Sequence, residues 1–161
     1  MQQSSISPLK DDQLVDAVLS ASRVLVAIAA RSLADVGEEV TLTQYRSLVV
    51  LASRGPQRVA ALAEAVAVTS PTASRMCERL VKKGLVTRRA ERRDRRQVRI
   101  TLSSAGRLLV DTVRARRRAE IEHLVASIPA ESRAGVVAAL GHLRETAGEV
   151  PEQDWSTGWD L

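Results

Sequence analysis

The 161-residue chain is 45% hydrophobic, enough for one domain with its own core, which excludes a wholly disordered protein. Aromatic residues make up 2%, with no Phe, so the core must be built from Leu, Val, Ile and Ala, residues that suit closely packed helices. The net charge of +5 is polarised: residues 54–107 hold 14 Lys and Arg against 4 Asp and Glu, a local +10, and the rest hold 10 against 15, or −5. That pattern is the footprint of a polyanion-binding module on a neutral-to-acidic scaffold, and it argues against a uniformly acidic or neutral binding surface.

Residues 1–9 read as a frayed arm. From about Asp11 to Val36 the apolar positions Leu14, Val18, Leu25, Ile28, Ala29 and Leu33 form a helical stripe, closed by Gly37. Thr43 is placed to cap a second helix that runs to about Arg54 and carries Tyr45, Leu48, Val49 and Leu51; Gly55-Pro56 ends it. A short helix follows with Val59, Leu62, Ala63 and Val66 on its apolar face. The next begins at Ser70-Pro71, with Ser70 as cap and Pro71 at the first helical position, where its missing N–H costs nothing. Val68, Met76, Leu80 and Val81 are expected to face inward, and Gly84 terminates it.

Two short strands, about Leu85–Arg89 and Gln97–Leu102, flank a charged loop, Ala90–Arg96. Seven of the twelve residues from Arg88 to Arg99 are arginine, and the returning strand alternates Val98, Ile100 and Leu102 with polar residues. Ser103 or Ser104 caps a long helix to about Ser127, with Leu108, Leu109, Val113, Ile121, Leu124 and Val125 as its apolar positions. Pro129 breaks it, and a last helix, about Glu131–Gly148, carries Val136, Val137, Leu140 and Leu143. The tail beyond is acidic and holds both tryptophans, Trp155 and Trp159; terminal tails are usually mobile, and docking of this one onto the dimer is the alternative.

Two short helices joined by a tight turn, with the second presenting small polar residues and arginine, make a helix-turn-helix signal. Ser70, Thr72, Ala73, Ser74 and Arg75 are the candidates for base edges: the short side chains allow close approach, Thr72 and Ala73 suit a thymine methyl, and Arg75 can fork onto guanine O6 and N7. Arg79, Lys82 and Lys83 lie further along, where phosphates are nearer. A helix-turn-helix followed by a charged two-stranded hairpin is a winged helix. The expected fold class is therefore mainly α with a small β-hairpin wing, flanked by long helices.

The stretch from Ser70 to Gly106 resembles the MarR (multiple-antibiotic-resistance regulator) family of winged helix-turn-helix transcription regulators. The shared features are Leu-x-x-x-Gly-Leu-Val from Leu80 to Val86, Asp-x-Arg from Asp94 to Arg96, and Leu-Ser-x-x-Gly from Leu102 to Gly106. The resemblance implies a single MarR-like domain over 1–161: a DNA-binding lobe at 38–102, dimerisation helices at 10–37 and 103–148, and an acidic tail at 149–161. It implies a homodimer on double-stranded DNA, with two winged helices on successive segments of a pseudo-palindrome. In this reading Arg96 enters the minor groove, Asp94 orients a wing arginine, and Arg92, Arg93 and Arg95 attract phosphates. An effector pocket between the lobes, near Tyr45 and Arg46, is also implied, as is a ligand-responsive repressor.

Other residues point to simpler roles. Cys77 is a core residue or an oxidant-sensing thiol whose pKa nearby arginines would lower; core packing is favoured, because free cysteine is commonly buried. His123 and His142 are too few and too distant for a zinc site. No Ser/His/Asp triad, glycine-rich phosphate loop or carboxylate-rich metal cluster occurs, so no enzyme activity, cofactor or metal is expected. The run Arg114, Arg116, Arg117 and Arg118 suits a solvated or intersubunit role. No stretch approaches 18 consecutive apolar residues and the N-terminus lacks a secretory pattern, so no membrane partner is expected. A single cysteine fits a reducing cytoplasm. The competing classes are a non-specific architectural DNA-binding protein and a structural dimer without a nucleic-acid role.

Overall fold

The computed structural model describes residues 11–34, 36, 40–90 and 98–155. Among these, six helices and one antiparallel hairpin follow in the order α1 (Asp11–Ala34), α2 (Leu42–Arg54), α3 (Val59–Ala65), α4 (Ser70–Lys82), β1 (Val86–Ala90), β2 (Val98–Leu102), α5 (Ser104–Ala126) and α6 (Ala130–Thr146). A single 3₁₀ turn, Glu152–Asp154, lies in the tail.

Helix α2 is the hub. Tyr45, Leu48, Val49, Val50 and Leu51 are buried on it, against Leu62 of α3, Met76, Cys77 and Leu80 of α4, Ile100 of β2, and Leu109, Val110 and Val113 of α5. Each such side chain contributes about 1.5–3 kcal/mol of burial. The cap lies two residues before the expected one. Thr41, not Thr43, closes a capping box: the Gln44 N–H donates to Thr41 Oγ1 at 3.2 Å, and the Thr41 N–H donates to Gln44 Oε1 at 3.1 Å. Thr43 lacks that reciprocal glutamine.

In the hairpin, Val86 pairs with Leu102 and Ala90 with Val98. It is tied to the body through Gln57, whose N–H donates to the Ile100 carbonyl at 3.0 Å and whose carbonyl accepts from the Ile100 N–H at 2.8 Å. Ile100 is fully buried, and Leu102 half-buried, but Val98 is exposed because it lies out along the wing. The returning strand is thus anchored by two of its three apolar residues.

The wing base, α4 and α5 meet at one point. Ser103 caps α5 by accepting from the Gly106 N–H at 3.0 Å, and its hydroxyl donates to the Gly84 carbonyl at 2.6 Å. A Cβ on Gly106 would stand 2.1 Å from the Leu85 carbonyl oxygen, so only glycine fits.

The long helices are less buried than their stripes suggest. Of the α1 positions, Ile28 and Leu33 are buried, but Leu14 is 59% exposed, and Val18 and Leu25 are exposed too. Leu108, Leu124 and Val125 of α5 are exposed, and α6 buries nothing, with Val137 at 72%. Helix α1 is held to α5 by Arg31 and Ser32, which donate to the Glu120 carboxylate at 2.7 and 3.4 Å. Although no unbroken apolar run exists, α1 has an 18-residue window of mean hydropathy 1.6, long and apolar enough to cross a membrane by length and composition.

Candidate nucleic-acid interface

Helices α3 and α4 are joined by a turn in which Ala67 takes φ +54°. Its N–H donates to the Glu64 carbonyl at 3.2 Å, and the Val68 N–H donates to Ala63 at 3.0 Å. This is a Schellman closure. The same closure ends α4: Gly84, at φ +69°, donates to Val81 at 2.9 Å, and Leu85 donates to Leu80 at 3.0 Å. The same lock therefore closes the C-terminus of each helix of the pair.

Helix α4 is strongly two-sided. Ala73, Met76, Cys77 and Leu80 are buried, and all but Ala73 were expected or favoured as core. Ala73 is 0% exposed, which removes it from the candidates for base contact: it sits three, four and seven residues before the other buried positions, on one helix face. Val81, in turn, is 37% exposed rather than inward. Ser70 and Arg75 are exposed, and Thr72 and Ser74 half-buried on the flanks. Arg79, Lys82 and Lys83 are exposed. Helical geometry puts Pro71, Arg75, Glu78 and Lys82 directly opposite the buried side, within about 30° of the outward direction. The cap of α4 is Thr69, one residue ahead of the expected Ser70; its hydroxyl donates to Thr72 Oγ1 at 3.0 Å. Pro71 remains in the first turn.

Burial raises the Cys77 thiol above its ordinary pKa, an effect that Arg88 opposes and Glu78 reinforces. The thiol is fully enclosed. Neither Arg75 nor Arg79 activates it.

Arg88 and Arg89 project from β1 as exposed cations, and Arg88 lies 3.9 Å from Glu78 of α4. Arg99 of β2 donates to the Pro56 carbonyl at 3.4 Å. The wing candidates Arg92, Arg93, Asp94, Arg95 and Arg96 lie outside the described residues.

Tyr45 and Arg46 do border a cleft, of 680 Å³, between α2, α5, α6 and the tail. Tyr45 is buried, and desolvation pushes its phenol up to about 12. Arg46 donates to both carboxylate oxygens of Glu149, at 2.7 and 2.5 Å. These bonds hold the Glu149 carboxyl below the usual carboxylate range, against the opposing effect of burial. The described part of the tail is docked: Trp155 packs on the core cluster, its indole N–H donates to Val150 at 3.1 Å, and Arg114 lies 5.5 Å over its ring. Arg114 also meets Glu152 at 3.2 Å, and Arg118 meets Glu122 at 2.9 Å, so two of the four arginines in the α5 run pair within their own chain. Sequence reading missed Glu149, Glu152 and Trp155 as cleft residues. The available signal was a tryptophan among acids in an arginine-rich chain without Phe.

Among the described residues no group of three or more His, Cys, Asp or Glu is placed to hold a metal, and His123 and His142 are exposed.

A comparison with curated proteins finds no match. The MarR family model matches residues 40–98, which span the helix-turn-helix, β1 and the start of β2. The chain is 38% identical to RV1404 from Mycobacterium tuberculosis, over 91% of this chain and 99% of that one, with a TM-score of 0.82. It shares its fold with S. aureus MepR, a mutant of which was solved bound to an oligodeoxyribonucleotide (21% identity, 86% and 98% coverage, TM-score 0.59). It shares it also with Bordetella bronchiseptica BpsR, whose DNA binding is regulated by 6-hydroxynicotinic acid (24% identity, 81% and 98% coverage, TM-score 0.62). A hairpin wing behind a locked helix pair, long flanking helices and this likeness along almost the whole length converge: the chain belongs to the MarR family of DNA-binding winged-helix transcription regulators.

Proposed function

We propose that this regulator is a ligand-responsive repressor that binds a pseudo-palindromic operator as a homodimer. The observation that carries the reading is the two-sidedness of α4, which seats one face in the core and turns a cation-bearing face outward beside a basic hairpin. MepR on its oligodeoxyribonucleotide provides the precedent in the same fold. Residues 38–102 form the DNA-binding lobe, with α4 in the major groove. Arg75 forks onto a guanine, Ser70, Thr72 and Ser74 make short contacts along the groove edge, and Arg79 holds phosphate. In the wing, Arg96 enters the minor groove, where narrow A·T tracts concentrate negative potential; Arg93 and Arg95 bind phosphate, and Asp94 orients an arginine.

Residues 10–37 and 103–148 form the dimerisation region. Their exposed apolar faces on α1 and α6 are the surface a second copy covers. The ligand occupies the cleft at Tyr45 and Arg46, between the lobe and the long helices, with Glu149, Glu152 and Trp155 of the acidic tail at its border. A ligand that prefers one spacing of the two lobes shifts the population toward it and changes the fit to successive grooves. BpsR gives the precedent for small-molecule control.

Arg75→Ala and Arg96→Ala test the reading by titration of labelled duplexes. Arg75→Ala should relax base preference at one position per half-site, by about 1–3 kcal/mol of discrimination. Arg96→Ala should weaken binding most where the flanks are A·T-rich. Equal binding by wild type and both variants would contradict the proposal.

A further inference from the structure

Glu78 is the one acidic residue of α4, and it lies near the centre of the outward face, between Arg75 and Lys82. Its side chain is 59% exposed, and its ion partner among the described residues is Arg88, at 3.9 Å. An exposed pair at that separation adds little to stability. A carboxylate in the middle of a surface that meets a polyphosphate is repelled by it, unless it finds a hydrogen-bond donor there. The phosphates offer none, and the base edges do.

We propose that Glu78 is a specificity-determining residue that accepts a hydrogen bond from a cytosine N4 amino group in the major groove. The inference rests on the reading of α4 as the major-groove helix and adds a base to it. An ionised carboxylate only accepts. Facing guanine or thymine in the major groove, it meets acceptors, O6 and N7 or O4, and is repelled; adenine sets its N6 donor beside the N7 acceptor, which repels the second carboxylate oxygen; cytosine offers its N4 donor with no acceptor of its own beside it. Glu78 therefore favours cytosine, is repelled by guanine and thymine, and meets adenine with attraction and repulsion together, a form of discrimination that arginine and serine do not supply. The spacing also fits. Glu78 is three residues beyond Arg75, about 4.5 Å along the helix axis. Successive bases on one strand rise about 3.4 Å. The two side chains thus address neighbouring base pairs, Arg75 a guanine and Glu78 a cytosine. Arg88, on β1, stands behind the carboxylate as a positioning residue, on the side of the wing.

Selection from a randomised duplex pool, with the full chain as wild type, Glu78→Gln and Glu78→Ala, tests this. The wild type should recover a cytosine at one position in each half-site, favoured by about 5- to 100-fold over other bases. Glu78→Gln should move the preference at that position to adenine, whose N6 and N7 suit a carboxamide, and leave the other positions unchanged. Glu78→Ala should lose the preference there. Neither variant should lose affinity for random duplex, since each removes a negative charge. Glu78 is exposed, so helical circular dichroism should report both variants as folded. The inference is overturned if both variants recover the wild-type site unchanged, or if both bind all sequences more tightly with the same preferences. A wild-type chain that recovers no discrete site overturns the parent reading and this inference with it.

Discussion

At the scale of single residues, the two Schellman closures of the helix pair use different residues at the same left-handed position, Ala67 in one and Gly84 in the other. A side chain there is strained by about 1–2 kcal/mol, partly offset by the greater freedom glycine has when unfolded. Ala67→Gly should therefore stabilise the fold, and Gly84→Ala, although nothing lies within 4 Å of its added methyl, should destabilise it, each by about 1 kcal/mol in urea titration. The same sign for both would show that backbone strain is not what distinguishes them. Gly106→Ala is a different case, since its methyl would run into the Leu85 carbonyl; a loss of about 1–3 kcal/mol is expected. Residue-level legibility was uneven for a physical reason. Buried Met76, Cys77 and Leu80 could be recognised by type, but Ala73 is small enough to suit either face, and only its spacing to those three marks it as core.

At the scale of elements, the helix order, the hairpin and the breaks at Gly84 and Pro129 follow from punctuation and periodicity, which are local. The tail does not, because its partners are far away in sequence: Arg46 and Glu149 are 103 residues apart. This contact gives the tail a pH dependence. The Glu149 carboxyl is held below its ordinary range when docked, so docking gains stability above the free carboxylate's pKa and loses it as pH falls through the depressed value. Both side chains of the pair are about a third or more exposed, so the effect is modest. In a Trp159→Phe background, Trp155 emission should be blue-shifted at neutral pH and move to the red in acid, while the helical signal persists. Arg46→Met should show the red-shifted emission already at neutral pH. Emission that responds to neither change would mean that Arg46 and Glu149 do not hold the tail.

At the scale of the whole molecule, polarised charge and long apolar stripes are both visible in the sequence, and within one chain the stripes of α1 and α6 are largely exposed. Periodicity marks a face as apolar without saying whether its partner is the same chain. A second copy accounts for both faces at once, and Leu140→Glu, which puts a charge on the exposed α6 face, should convert a dimer into a monomer in sedimentation measurements. The proposed dimer in turn sets what its DNA would look like. Two α4 helices related by a twofold axis require two half-sites, with centres about one turn, or roughly 10 bp, apart. Footprinting on duplexes captured from genomic DNA by the full chain shows whether such paired half-sites exist. Discrete protection of two inverted half-sites at that spacing, lost steeply as salt rises, is the expected result. Uniform coverage of any duplex, with no half-site and no preference among sequences, would contradict it and point to a non-specific architectural protein.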